Sequence, residues 1–358
     1  MKFINRNNSV FFSTLRSRVN QHFKDNEITR FGNREIVVKS IILLSIYLAS
    51  YVCIFLVPAT ALYLLPFAVL MGISKAGIGM TVMHDALHGS YSDKGFVNKL
   101  MGNSIYLLGA NASVWKIHHN LHHHTYTNIH GMDEDIDTKV VIRLSPQSKR
   151  RRIHAYQHIY GLFFYGLLTI NKIVIDDLMK MLRYHKGGVL KKLKRNATQE
   201  FTRLIGLKVV YLFFMLVLPV LLTPLLWWQV LIGFLVMHFF AGFILATIFQ
   251  LAHIVEGAEH PVPNAEGNIE NEWAIHQLST TANFARNNRI LNWYIGGLNY
   301  QIEHHLFPNI SHVHYREISK IVEKTAAEFK LPYNVKPTIG DAFVSHMRIL
   351  RRLGSRVA

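Results

Sequence analysis

Residues 115–128 read WKIHHNLHHHTYTN and place five histidines, His118, His119, His122, His123 and His124, in seven positions. On an α-helix, positions i and i+4 face the same way. His119 and His123 are therefore expected to present two imidazoles to one point, with His124 adding a third. Five adjacent imidazoles bring a surface helix little propensity or apolar burial. Two further clusters set this one apart from a solvated His-rich patch. HDALH at 84–88 repeats the i, i+4 spacing, and QIEHH at 301–305 ends in an adjacent pair. Imidazole suits iron, copper, zinc and nickel, so the three clusters point to a polyhistidine metal site.

The elements that must position these clusters are apolar. The 358-residue chain is 50% hydrophobic, yet it carries a net charge of +17. Apolar residues gathered into spans, with basic residues at a membrane surface, account for both numbers. Nucleic-acid binding, the rival explanation of a basic chain, fits poorly, because the Lys/Arg clusters flank long apolar runs instead of forming one basic module. The single cysteine, Cys53, sits within an apolar run. It excludes an intramolecular disulfide framework and Cys-based iron–sulfur or zinc sites. The opening MKFINRNNSVFFSTLRSR lacks the apolar core and small-residue cleavage site of a secretory signal.

Residues 1–40 are polar and basic, with eight Lys/Arg against three acidic residues. Residues 41–57 form an uncharged apolar run, and a second run, 59–83, carries one charge, Lys75. A bilayer core takes about 20 apolar residues in a helix, so the two runs predict a hairpin of spans, with Lys75 snorkelling near the end of its own. Residues 84–208 are polar overall and hold two of the clusters. Within them IYGLFFYGLLTI (159–170) is too short to span. It is expected to lie in the interface as a helix, with Tyr156, Tyr160 and Tyr165 at the headgroup boundary. Residues 209–253, broken at Thr223-Pro224 and the Trp227-Trp228 pair, predict a second hairpin. The expected fold is an all-α integral membrane protein: four transmembrane helices in two hairpins, with a cytoplasmic helical cap over a metal site. It reads as a single domain over 1–358, divided into an N-terminal segment 1–40, hairpins 41–83 and 209–253, and cap segments 84–208 and 254–358. The two turns opposite the termini, around 58–60 and 223–229, contain no charged residue. The positive-inside rule then places both termini and every cluster on the cytoplasmic side.

Eight histidines stand at candidate ligand positions: His84, His88, His119, His123, His124, His253, His304 and His305. One tetrahedral zinc takes about four protein ligands, so eight suit two metal ions of higher coordination number. Non-haem iron is the expected metal, since oxygen chemistry on an unactivated C–H bond lies within its range. A membrane-embedded site of that kind implies an apolar substrate. A His-rich metal transporter would instead need ionisable groups along a path through the bilayer. Only Lys75 and His238 fall inside the expected spans.

With these residues in view, the sequence resembles the membrane fatty acid desaturases, a family with three histidine boxes. HDALH (84–88) is similar to the first box, HNLHHH at the start of HNLHHHTYTN (119–128) to the second, and GGLNYQIEHHLFP (296–308) to the third. The resemblance runs from the first hairpin to about residue 333. Gln301, which opens the third box, is similar to the front-end group, whose members insert a double bond between an existing one and the carboxyl end. The resemblance implies a fatty acyl desaturase with a di-iron centre, two iron ions that use O2 to remove two hydrogens from adjacent methylenes of an acyl chain, with water as product. The acyl carrier is coenzyme A, a carrier protein or a lipid. It implies the eight histidines as ligands, with His253 in FQLAHIVEG as the family's additional histidine. Gln301 would meet a metal directly or through water, and Asp85 would orient a ligand imidazole. A lipid hydroxylase or a sphingolipid desaturase would use a similar site. Many front-end members carry a cytochrome b5 domain marked by His-Pro-Gly-Gly, a motif missing from this sequence. Electrons are thus expected from an external donor, ferredoxin or cytochrome b5, on a basic surface that equally suits membrane lipids.

The remaining histidines and acids are read as support. His118 and His122 lie one residue off the box and are expected at its back or on the surface. His238, about 22 Å along a helix from His253, is expected to be packed or hydrogen-bonded within the membrane. His312 and His314 follow the third box as possible supports for its ligands. Asp133, Glu134, Asp135 and Asp137 are expected to form a solvated acidic loop.

Overall fold

The computed structural model describes residues 1–5, 9–56, 61–137 and 140–355. Four of its helices are long and apolar enough to cross a membrane: Arg34–Leu56, Leu62–His88, Ala197–Leu222 and Trp227–His253. The turn expected at 58–60 lies outside the described residues. Pro224 and its uncharged neighbours do separate the last two helices. Outward-facing side chains such as Leu48, Val52, Val209 and Leu221 are exposed. Apolar side chains exposed along helices of this length fit a lipid contact.

The second of these helices is interrupted at Thr81, whose hydroxyl donates back to the Gly77 carbonyl at 2.7 Å. Such back-bonding bends helices, and the short helix Val82–His88 continues beyond the break with the first box on it. Close approach holds this unit to Trp227–His253. A Cβ on Gly72 would stand 2.5 Å from the Met237 carbonyl oxygen, so only glycine allows the contact.

Two expectations for this region are overturned. Lys75 does not snorkel. It is fully buried, its Nζ 2.8 Å from the Tyr211 hydroxyl and 3.2 Å from His238 Nε2. Polar groups on neighbouring helices satisfy the amine in place, so its stem has no need to reach the surface. His238 is hydrogen-bonded inside the bundle as expected, also reaching Thr169 Oγ1 at 3.0 Å. The segment 159–170, in turn, is not one helix in an interface. The stretches Arg152–Gly166 and Leu168–Lys186 meet at a 57° bend. The bend packs against the middle of Trp227–His253, where Thr169 Oγ1 donates to the His238 carbonyl at 2.8 Å. Tyr156 is exposed, but Tyr165 is buried and bonded to His346 Nε2 at 2.8 Å. Burial between elements wins over the headgroup position its type suggested.

Small helices and one two-residue parallel pair, Asn283–Phe284 with Val335–Lys336, build the rest. The N-terminal stretch is an amphipathic helix, Phe11–Asp25. Phe11, Leu15 and Val19 recur every fourth residue on one face. They bury against Ile318 and Val322 of Tyr315–Glu328, and against Leu278 and Ile302. This cluster presses the third box into place from behind. The C-terminal helix Ile339–Gly354 does the same for the end of the fourth long helix, through Ile349, Leu350 and Leu353 against Ile142, Leu144 and Ile254.

Candidate metal centre

Four chain segments deliver histidines to one place. Val82–His88 brings His84 and His88, and Trp227–His253 brings His253 at its last residue. Gln301–Leu306 brings His304 and His305. The second box does not form the α-helix that its i, i+4 spacing suggested. Lys116–His123 is a π-helix, and the His124 amide bonds to the His119 carbonyl five residues back. The wider turn changes which residues share a face. His119 and His124, five apart, meet with their Nε2 atoms 3.2 Å apart. His119 and His123 stack at 5.4 Å, and apart from a set they share with Asp135 each joins a different all-histidine group.

Two groups result. Nitrogens of His84, His88, His119 and His304 lie within 4.8 Å of one another, and so do those of His123, His253 and His305. His124 belongs to neither, but its ring lies 4.6 Å from that of His304 and 4.4 Å from that of His305. Asp135 forms a further candidate set with His119 and His123. Gln301 is buried beside His253, with its Oε1 unpaired.

The backs of these rings are held. His123 Nδ1–H donates to Asp133 at 3.1 Å. His305 Nδ1–H donates to Gln277 Oε1 at 2.8 Å, and Thr127 lies 3.2 Å from the same nitrogen. His304 Nδ1 lies 3.2 Å from the Tyr315 hydroxyl. Held at Nδ1, the rings turn Nε2 inward, the arrangement of metal-ligating imidazoles. The inward atoms are orphans: Nε2 of His88, His123, His304 and His305 is buried without a hydrogen-bond partner. Buried polar groups are normally paired, so a cation shared within each group answers the chemistry of these donors. Burial, followed by the charge of neighbouring imidazoles, pushes His119, His124, His304 and His305 well below the ordinary histidine range. They are therefore neutral, the form that ligates metal. Burial also lowers His123, but the Asp133 carboxylate outweighs it and the net direction is up.

Of the acidic loop, Asp137 is exposed as expected, but the other three acids are drawn inward. Asp133 is 1% exposed and also accepts from the Asn128 amide at 2.9 Å. Asp135 faces His118 at 3.0 Å and His123 at 3.5 Å. Glu134 faces His122 at 3.6 Å, Lys180 at 3.8 Å and Arg183 at 3.2 Å. The run of acids is the support of the second box, and its nearness to that box in sequence was the available signal. Asp85 is 3.9 Å from His84 Nδ1, while its other oxygen accepts from Ser311 Oγ and His312 Nδ1–H at 2.7 and 2.9 Å. His312 thus supports the site at one remove. His314 does not, since its ring bonds to the Phe31 carbonyl. Two aromatic walls escaped the sequence reading. Trp115 lies 4.4 Å from His119 and Phe249 4.8 Å from His253, one beside each group. Nothing in their spacing marked them.

The family profile described as fatty acid desaturase matches residues 59–337, the stretch that contains every one of these histidines. The chain belongs to the fatty acid desaturase family. The desaturase is accordingly an oxidoreductase acting on an acyl chain. It is 35% identical to an acyl-lipid (8-3)-desaturase of Physcomitrium patens, over 99% of this chain and 74% of the relative. It is 34% identical to an sn-1 linoleoyl-lipid 6-desaturase of Synechocystis, over 96% of this chain and 95% of the relative. A second sn-1 linoleoyl-lipid 6-desaturase, from Arthrospira platensis, is 31% identical over 96% of this chain.

Proposed function

We propose that this desaturase is a front-end enzyme that introduces a cis double bond into a lipid-linked, already unsaturated acyl chain, using two irons, O2 and two electrons from an external donor. The observation that carries the reading is the pair of all-imidazole groups with Gln301 opening the third box beside them. The relatives named as linoleoyl-lipid and acyl-lipid desaturases support the substrate class.

On this reading His84, His88, His119 and His304 hold one iron, and His123, His253 and His305 the other. His124 stands between them, and Gln301 lies next to His253. The bound irons supply the O2 activation that an unactivated methylene requires. The chain's own residues do the rest. Asp133, Gln277 with Thr127, and Tyr315 fix the tautomers of His123, His305 and His304. Trp115 and Phe249 keep water from the two groups, which protects reactive states from side reactions. Two hydrogens leave the acyl chain, and two electrons from a ferredoxin or cytochrome b5 together with two protons complete the reduction of O2 to water.

The four apolar helices form two membrane hairpins in this reading, and 1–358 is one unit. Residues 1–40, 84–208 and 254–358 lie on the cytoplasmic face, where membrane lipids and an acidic donor meet the basic surface. The test is expression in a host without polyunsaturated lipids, supplied with linoleic acid. Chromatography of the lipids should show a new double bond on the carboxyl side of the existing pair. A hydroxy acid or a desaturated sphingoid base would replace this reading by a hydroxylase or sphingolipid one.

A further inference from the structure

A second buried lysine stands behind the first histidine group. Lys39, near the start of helix Arg34–Leu56, is fully buried although it belongs to one of the four long apolar helices. Its Nζ lies 2.8 Å from His312 Nε2 and over the Trp293 ring at 5.6 Å. The nearest carboxylate to it, Glu35, is 3.7 Å away and half exposed. An ammonium is retained in such a place only where specific partners repay its desolvation.

The partners form a chain of fixed polarity. Asp85 Oδ2 accepts three hydrogen bonds, from Ser311 Oγ, from the His312 amide and from His312 Nδ1–H. Because Nδ1 carries the proton, Nε2 of the same neutral ring is bare and accepts from the Lys39 ammonium. The opposite oxygen of Asp85 faces His84 Nδ1, and His84 Nε2 faces His119 within the first group. A positive charge on the first long helix is thereby linked, through one imidazole and one carboxylate, to the back of His84. A carboxylate behind a ligating imidazole raises its basicity, and a buried cation behind that carboxylate restrains the effect.

We propose that Lys39 is a positioning residue for the first metal group: acting through His312, it holds Asp85 in place behind His84 and balances its charge, and so sets how strongly His84 donates to the metal. The inference rests on the reading of His84 as an iron ligand. Loss of the Lys39 charge leaves Asp85 uncompensated, makes His84 the stronger donor and favours the more oxidised metal. His312→Leu cuts the chain in the same way. His312→Gln preserves it, because the amide nitrogen donates to Asp85 and the amide oxygen accepts from Lys39.

Two measurements test this. The first is the imidazole nitrogen-15 spectrum of the metal-free protein, in which His312 should be the neutral Nδ1–H form. A neutral Nε2–H form would overturn the chain of hydrogen bonds whatever the metal does. The second is the reduction midpoint of the iron-loaded protein, followed by its optical spectrum. Lys39→Met and His312→Leu should lower the midpoint relative to the wild type, and His312→Gln should restore it. Iron-loaded Lys39→Met with an unchanged midpoint would overturn the proposal. Wild type that binds no iron would instead remove the ligand reading, and with it the proposed effect on the metal, while the nitrogen spectrum still decides the geometry. If Lys39→Met fails to fold, the His312→Leu and His312→Gln pair decides, since an equal midpoint in both would overturn the proposal.

Discussion

Asp133 holds His123 from behind: its carboxylate accepts the Nδ1 proton at 3.1 Å and leaves Nε2 pointing into the second histidine group. Ten residues separate them, and the π-helical second box ends between them. Asp133→Asn removes the charge and one acceptor while keeping the shape. Supporting carboxylates of this kind are worth about 10–100-fold in metal affinity. Competition with a chelator should show a loss of that size for one of the bound ions, and an unchanged affinity would remove Asp133 from the site.

His253 belongs to no contiguous box, yet its ring lies 4.9 Å from that of His305. Alanine at His253 should cost both iron and desaturation. His238→Ala, on the same helix, should keep its iron and lose stability, because Lys75 and Tyr211 then lose a partner at a cost of about 1–3 kcal/mol. Iron content and melting of the two purified variants separate these outcomes. Full iron in His253→Ala would strike it from the ligands.

Gln277 ties two boxes together. Its oxygen accepts from His305 and Thr127, and its nitrogen donates to the His124 carbonyl at 3.2 Å. Gln277→Leu frees the His305 ring and should reduce iron from about two per chain toward about one, since the first group does not use this support. Metal analysis checks the number, and two retained irons would refute the assignment.

His346 gives a pH dependence outside the site. Burial pulls it down to about 4, where Nδ1–H donates to the Ile254 carbonyl and Nε2 accepts from Tyr165. A base depressed in the folded state binds fewer protons there than when unfolded. Its contribution is therefore complete above about pH 6.5 and is lost as the pH falls toward 4, at most about 3 kcal/mol. His346→Gln should make the fall of the melting temperature of metal-free protein across that window shallower, the other buried imidazoles contributing the rest. An equal slope in wild type and variant would contradict this.

The uncharged turn at Pro224 makes the proposed topology testable. Reporters fused at residues 1 and 140 and at the C-terminus should all read the cytoplasmic side, and one inserted at Pro224 the opposite side. A reporter at 140 on the far side would part the second box from the third.

The three histidine clusters and the four long apolar helices were legible in the sequence, because imidazole clustering and apolar length both show directly in residue types and spacing. How the histidines group in space was not. An α-helical spacing joined His119 to His123, and the π-turn also brings His124 Nε2 to 3.2 Å from His119 Nε2, a pairing that only the folded backbone supplies. The acidic residues 133–135 and Lys75 misled for a common reason. A charged side chain is read from sequence as solvated, since burial costs too much unless partners are present. Those partners, His123, His118, Tyr211 and His238, come from other turns and other helices. Composition declares that a charge exists, and tertiary packing alone decides whether water or another residue answers it.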